Sequence, residues 1–266
     1  MKIGFVGGGV MAEALIAGMR KAKLDADITV GEPIETRRRA LSKDHGVAVT
    51  PANRKAVAGA ELVVLAVKPQ QLDAAAKELA GAIKVEQTVL SIVAGVKMHS
   101  IGLRLNHERL IRVMPNTPAQ IGAGMSVWTS TAGVPGPVKA FAGRMLEALG
   151  DQVYVDEEKY VDMATALSAS GPAYVFVFIE ALIDAGVHLG MSNAMARRLV
   201  LQTLTGSAEL MRSSGKHPGE LRNMVTSPGG TTAAGLLALE EASFRATVMR
   251  AVKAAHERGE QLGAGK

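Results

Sequence analysis

Over residues 1–155, short apolar runs rich in β-branched side chains alternate with longer stretches in which apolar positions recur at helical spacing. The runs are 2–6 (KIGFV), 28–30 (ITV), 47–49 (VAV), 62–67 (LVVLAV), 88–94 (TVLSIVA), 110–114 (LIRVM), 124–128 (GMSVW) and 152–155 (QVYV). Apolar strands spaced by helices predict a mainly parallel sheet covered on both faces. Thr50-Pro51 reads as an N-cap with proline at the first helical position, and Pro69 marks a second helix start after a strand.

From about Asp156 the strand pattern stops. Periodicity and cap residues predict helices over 157–168, 172–189 opened by Gly171-Pro172, 192–213 ended by Gly215, 218–225, 231–240, and 243–262 opened by Ser243. The chain therefore divides near 156 into an α/β half, 1–155, and an all-helical half, 156–266. The helix from Pro172 to Leu189 is apolar nearly all round its first three turns, more than one core-facing stripe requires. A helical half of ~110 residues has limited core of its own, so burial of this helix against a partner chain is expected. Its longest apolar run, Ala173 to Ile179, is stopped by Glu180 and Asp184, short of the ~20 residues of a membrane span, and reads as a buried helix.

Composition narrows the function classes. With 48% hydrophobic and 21% charged residues the chain has the balance of a packed soluble protein, which excludes disorder. The absence of cysteine excludes disulfides, thiolate nucleophiles and Cys-ligated metals, and the histidines at 45, 99, 107, 188, 217 and 256 show no ligand spacing, so no metal site is expected. The start, MKIGFVGGG, has no basic segment followed by a long apolar one, and a cytoplasmic location is expected. The net charge of +5 favours an anionic small molecule. Nucleic acid is disfavoured, because aromatics make up only 3% of the chain and the sole basic cluster is Arg37–Arg39.

Candidate chemistry begins at the N-terminus. KIGFVGGGVMAEAL sets Gly7-x-Gly9-x-x-Ala12 between a first strand and a helix, the context of a dinucleotide fingerprint: Gly7 for the tight turn, Gly9 for approach of amides to a pyrophosphate, Ala12 for close helix–sheet packing. Gly8, Val10 and Met11 lie within the same cofactor-binding stretch. Glu32, 20 residues past Ala12 at the end of the second strand, suits a ribose 2′-hydroxyl, whereas Arg37 and Arg38 suit a 2′-phosphate or a solvated helix face. NADPH and NADH both stay open. The loops AVKPQ (66–70) and MPNTPA (114–119) leave strands at the ligand edge of such a sheet, although Pro115 and Pro118 equally suit a simple strand end. In the helical half, LSASGPAY (167–174) breaks two helices with small residues. In TSPGGTT, Gly229-Gly230 leads into Thr231-Thr232 at a helix start, either as a connector or as an anion cradle of free amides and hydroxyls.

The set GFVGGGVMAEAL, LAVKPQ, SIVAGV, RVMPNTPA, ALSASGPAYVFVFIEAL and VTSPGGTT, in this order over nearly the whole chain, closely resembles pyrroline-5-carboxylate reductases. The resemblance implies a Rossmann-like N-terminal domain, a helical domain that dimerises and in places builds rings of dimers, and NAD(P)H-dependent reduction of Δ1-pyrroline-5-carboxylate to L-proline. It further implies that Ser227, Gly229, Gly230, Thr231 and Thr232 hold the substrate carboxylate and that the Thr165 hydroxyl reaches the substrate nitrogen. Asn53 then belongs at the adenosine ribose, and Val67, Lys68 and Pro69 near the nicotinamide, with Ala94 of SIVAGV and Asn116 of RVMPNTPA also cofactor-binding. Ala169 departs from the family's usual glycine and adds a methyl near the ring pocket. Gly31-Glu32-Pro33 lacks the family's common 2′-phosphate acceptors. A hydroxyacid dehydrogenase would need a lysine in the second domain, and none occurs between Tyr160 and Gly215. A protein that only senses the dinucleotide would not need a second anion site.

Overall fold

The computed structural model describes residues 1–264. Its strands are β1 (Lys2–Val6), β2 (Asp27–Gly31), β3 (Ala48–Thr50), β4 (Leu62–Leu65), β5 (Thr88–Ser91), β6 (Leu110–Pro115), β7 (Gly124–Ser130) and β8 (Gly150–Tyr154). The helices are α1 (Val10–Lys21), α2 (Glu35–His45), α3 (Asn53–Val57), α4 (Leu72–Leu79), α5 (Met98–Leu105), α6 (Gly136–Glu147), α7 (Lys159–Ala164), α8 (Gly171–His188), α9 (Asn193–Ser214), α10 (Pro218–Met224), α11 (Thr231–Glu241) and α12 (Phe244–Ala264). The chain forms two compact units, one of Met1–Pro172 with the residues from Ala255 onward, the other Ala173–Ala254.

In the first unit all eight expected strands form one sheet in the order β3-β2-β1-β4-β5-β6-β7-β8, parallel except for the β6–β7 pair. The two exchange direction because only a short 3-10 turn, Thr117–Ile121, links them. A parallel return needs a crossover of a dozen or so residues. The central strands are buried on both faces: Val63, Val64 and Leu65 are fully enclosed. Leu15, Ile16 and Met19 of α1 and Phe141, Met145 and Leu146 of α6 cover one face. Leu72, Leu79, Ile101 and Leu105 of α4 and α5 cover the other. Each such side chain contributes roughly 1.5–3 kcal/mol of burial. Gly18 lets α1 approach α6, for a Cβ there would stand 2.8 Å from the Ala148 carbonyl oxygen.

Pro69 opens a short 3-10 turn as the sequence suggests. Thr50-Pro51 does not cap a helix. The helix starts at Asn53 with Ala52 before it, and the Thr50 hydroxyl instead accepts the Ala52 N–H at 3.3 Å, closing a turn two residues earlier. The helix expected over 157–168 is α-helical only to Ala164, after which a π-turn, Thr165–Ala169, leads to Ser170. Ser243 precedes α12 in a left-handed conformation, φ +56°.

The second unit is all helix. The Ser192 hydroxyl caps α9 by accepting the Met195 N–H at 3.3 Å, and Gly215, φ +62°, ends it. α8 meets α9 where a Cβ on Gly186 would stand 2.8 Å from the Ala196 Cβ. Phe178 and Phe244 pack with ring centres 6.0 Å apart. Ala196 is the one fully buried residue among those described in this unit. Within the single chain α8 is not covered: Val175, Phe176 and Val177 are all at least half exposed. The helical run Lys159–His188 is also long and apolar enough, by length and composition, to cross a membrane.

Candidate functional site

Strand register brings five loops to one edge of the sheet. Val6 lies beside Gly31 and Leu65, Leu65 beside Ser91, and Ser91 beside Arg112 of β6. The segments that leave here are Gly7–Gly9, Glu32–Pro33, Ala66–Pro69, Ile92–Ala94 and Asn116. Strand order reverses at β1, between β2 and β4, and open α/β sheets bind ligands outside the strand ends at such a switch point.

Gly7 turns the chain with φ +95°, its N–H donating to the Gly31 carbonyl at 2.8 Å. A Cβ here would stand 2.9 Å from the Ala66 carbonyl oxygen and 3.1 Å from the Val67 Cγ1, so the loops after β1 and β4 touch. Gly9 is the N-cap of α1 with φ −67° and ψ −178°, and a Cβ there would meet no atom of the chain within 4 Å. No side chain caps this helix. Its first intrahelical bond is from the Glu13 N–H to the Gly9 carbonyl, so the amides before Glu13 have no helical partner. Val10 is exposed, Met11 half-buried and Ala12 fully buried against the sheet. A glycine that the fold itself does not require, at an uncapped helix N-terminus, fits a pyrophosphate.

Glu32 and Arg37, which oppose each other in the sequence reading, belong to one network. Glu32 is buried, its Oε2 accepting the Gly8 N–H and its Oε1 the Ile34 N–H, both at 2.9 Å. Arg37 Nε donates to the Gly8 carbonyl at 2.6 Å, and its Nη2 to Glu13 Oε2 at 2.7 Å. The Gly8 peptide is thus gripped on both sides. Arg38 donates to the carbonyls of Glu32 and Pro33, both at 2.7 Å. Arg38, Arg39 and Lys43 also line a shallow hollow beside Val49.

The Arg37 hydrogen bond holds the Glu13 carboxyl below the usual carboxylate range against the opposing effect of burial, with His45 Nε2 at 3.2 Å helping. A lowered folded pKa stabilises above the unfolded value of ~4.3 and is lost as pH falls through the folded one. The stability difference between wild type and Glu13→Gln should accordingly shrink as pH falls below the carboxylate range. Denaturant melts from neutral to acid pH would show it, and a difference independent of pH would contradict it.

Asn53 stands against the end of β2. A Cβ on Gly31 would collide with its Oδ1, which accounts for glycine there. The Asn53 Nδ2 donates to Glu78 Oε2 at 2.6 Å, while its Oδ1 is buried and accepts no hydrogen bond from the described residues. Val67 and Pro69 are half-buried; Lys68 and Ala94 are exposed.

Thr165 opens the π-turn, whose defining bond runs from the Ser170 N–H to the Thr165 carbonyl at 2.9 Å. Short π segments recur at functional sites. The half-buried Thr165 hydroxyl donates to the Val161 carbonyl at 2.9 Å, which leaves its lone pairs free to accept. Asn116 is held by its own chain: Oδ1 accepts the Met125 N–H at 2.8 Å, and Nδ2 lies 3.4 Å from the Ser168 carbonyl and hydroxyl oxygens. Arg112, buried on β6, bridges Glu158 and Asp162 at 2.8 and 2.6 Å. Sequence reading passed over this arginine. Its signal is a charge in the middle of the apolar run LIRVM, followed later by two acids one helical turn apart.

In the second unit, Gly229 has φ +68° and the Gly230 N–H donates to the Ser227 carbonyl at 3.1 Å. A Cβ on Gly230 would strike the Ser227 Oγ. Gly230 is the N-cap of α11, no side chain caps it, and the first intrahelical bond is from the Ala234 N–H to the Gly230 carbonyl. The glycine turn thereby leaves the amides of Thr231 and Thr232 without helical partners; Thr231 is exposed and Thr232 half-buried.

Residues 158–262 match a family model described as pyrroline-5-carboxylate reductase dimerisation, and residues 2–95 one described as NADP oxidoreductase coenzyme F420-dependent. The chain is 43% identical over 265 residues to the pyrroline-5-carboxylate reductase of Synechocystis, covering 99% of this chain and 98% of that protein. It is 40% identical to the Pseudomonas aeruginosa enzyme of the same name, over 98% of this chain and 96% of that protein. Among solved structures it resembles a pyrroline-5-carboxylate reductase from Coxiella burnetii, with a TM-score of 0.90, 33% identity and 98% of each chain covered. It also resembles a Plasmodium falciparum pyrroline carboxylate reductase with NADP bound, with a TM-score of 0.89 and 33% identity over 99% of this chain and 98% of that one.

Proposed function

The chain belongs to the pyrroline-5-carboxylate reductase family, and from that premise we propose how its residues divide the reduction of Δ1-pyrroline-5-carboxylate to L-proline. The observation that carries the cofactor half is Gly9, a glycine that nothing within the chain requires, at the uncapped start of α1. Gly7 to Met11 hold the pyrophosphate of NAD(P)H through the first-turn amides and the helix dipole. Asn53, packed against Gly31 at the end of β2, stands at the adenosine ribose. Glu32 and Arg37 fix the glycine loop beside that ribose. Val67, Lys68, Pro69, Ala94 and Asn116 stand at the nicotinamide end of the same edge.

The cofactor, when bound, would supply hydride to the imine carbon, C2 of the pyrroline ring, which becomes C5 of proline as the C=N π pair passes to nitrogen. A protonated ring imine is already electrophilic at that carbon, so the protein's task is placement more than strong acid catalysis. Thr165, its own proton committed to Val161, accepts the hydrogen bond of the iminium N–H and fixes the ring nitrogen. Ser227, Gly229, Gly230, Thr231 and Thr232 take the substrate carboxylate. In Thr232→Ala one hydrogen bond to a charged group is lost, worth ~1.5–3 kcal/mol, so KM for the imine should rise about ten- to a hundredfold with kcat changed far less. An unchanged KM would count against the cradle.

The partner is a second copy of the chain, joined through the helical unit whose apolar α8 face is exposed in the single chain. Rings of such dimers and a cytoplasmic location complete the proposal. The deciding measurement is NAD(P)H oxidation, followed spectrophotometrically, on addition of the cyclic imine. No oxidation with either cofactor would overturn the assignment. The ratio of rates with NADPH and NADH would report whether Glu32 or the cations of the neighbouring hollow governs the 2′-position.

A further inference from the structure

We propose that Arg112 of β6 and Asn116, which directly follows that strand, clamp the helical segment bearing Thr165 at two points and so set where its hydroxyl stands. The inference rests on the role given to Thr165 above. Arg112 is a positioning residue: its side chain is 3% exposed and its guanidinium is committed to two carboxylates.

The lower anchor is a fork. The two terminal nitrogens of Arg112 bond Glu158 Oε1 and Asp162 Oδ1, carboxylates four residues apart and hence on one face of the helix. Glu158 Oε1 also accepts the Met98 N–H at 2.7 Å, which ties the same point to the start of α5. The planar, branched guanidinium can span two carboxylates, whereas an ammonium is a single point charge. The upper anchor is Asn116, with its Oδ1 fixed by the Met125 N–H and its Nδ2 turned to Ser168. Asn116, one residue past the strand, keeps an extended backbone, φ −120° and ψ 169°, so its side chain leaves the chain on the same side as that of Arg112.

Thr165 lies between the anchors, where the helix departs from α to π geometry. A π-turn carries one extra residue per turn and rotates whatever follows it, so its place in the helix must be specified from outside. The Arg112 cluster is a poor choice if stability alone were at stake. Burying an arginine with two carboxylates costs desolvation that an apolar packing of the same volume avoids. What the cluster provides is a fixed location, one turn before Thr165.

A double-mutant cycle tests this on the whole enzyme, with Asp162→Asn, Thr165→Ala and the double variant compared in kcat, KM and amide exchange. Asp162→Asn keeps its shape and leaves Arg112 paired with Glu158, so the fold should persist. It is expected to lower kcat about tenfold with KM for NAD(P)H within twofold, a scale typical of disturbed positioning. Exchange at the Ser170 N–H, which closes the π-turn, should speed up at the same time. In the Thr165→Ala background the same change should lower kcat less than twofold, because the group being placed is gone. Equal losses in both backgrounds, or an unaltered Ser170 exchange, would overturn the clamp. Faster Ser170 exchange combined with a silent Thr165→Ala would instead remove the role of Thr165, and the kinetic claim with it. Should Asp162→Asn fail to fold, Glu158→Gln, which leaves Arg112 paired with Asp162, carries the same test from the other half of the fork.

Discussion

Gly9→Ala is expected to leave the melting temperature unchanged and to raise KM for NAD(P)H about ten- to a hundredfold. The backbone at Gly9 is one that any residue adopts, and the added methyl would meet no atom of the chain, so nothing in the fold resists it. The same methyl would stand between the α1 amides and a phosphate. Loss of one charge-assisted hydrogen bond, at ~1.5–3 kcal/mol, gives that range. Gly7→Ala is the control with the opposite signature: at φ +95° and 2.9 Å from the Ala66 oxygen it should destabilise by ~2 kcal/mol or more as well as weaken cofactor binding. Thermal melts beside cofactor titrations separate the two variants. A Gly9→Ala protein that melts early but binds normally would show the glycine to be structural.

Thr165→Ala is expected to lower kcat about a hundredfold, the scale of a lost positioning contact at the reacting group, while leaving measurable turnover. The remaining activity follows from the substrate's own electrophilicity and from placement by the carboxylate cradle. KM for NAD(P)H should stay within severalfold of wild type. Thr165→Ser, which keeps the hydroxyl and its bond to the Val161 carbonyl, should recover most of the loss. A folded Thr165→Ala enzyme with no turnover at all, or with wild-type kcat, would refute the role.

Features set by local chemistry could be read from the chain. All eight strands lie where apolar runs stand, most plainly at the centre of the sheet, where β4 and β5 are buried on both faces. The Gly7-x-Gly9-x-x-Ala12 turn and the Gly229-Gly230 turn could be read because each needs a glycine for a stated backbone reason. Long-range pairings could not. Arg112 meets carboxylates 46 and 50 residues away, and nothing local announces them. The π-turn at Thr165 is equally silent, since one inserted residue disturbs helical periodicity less than ordinary sequence variation does. At Thr50-Pro51 a good capping pair lost to turn chemistry two residues before the helix began. Glu32 and Arg37 looked like rivals because charge alone was visible, and the Gly8 peptide that joins them was not.

The second unit, with Ala196 as its one fully buried residue, turns stability into a question of concentration. Helices that bury almost nothing among themselves gain their apolar contacts only when another chain arrives, so dilution should unfold this half while the sheet domain stays intact, and its melting temperature should climb with protein concentration. During synthesis the order is the same: the dinucleotide half emerges first and can close its core alone, while the helical half waits for a neighbour.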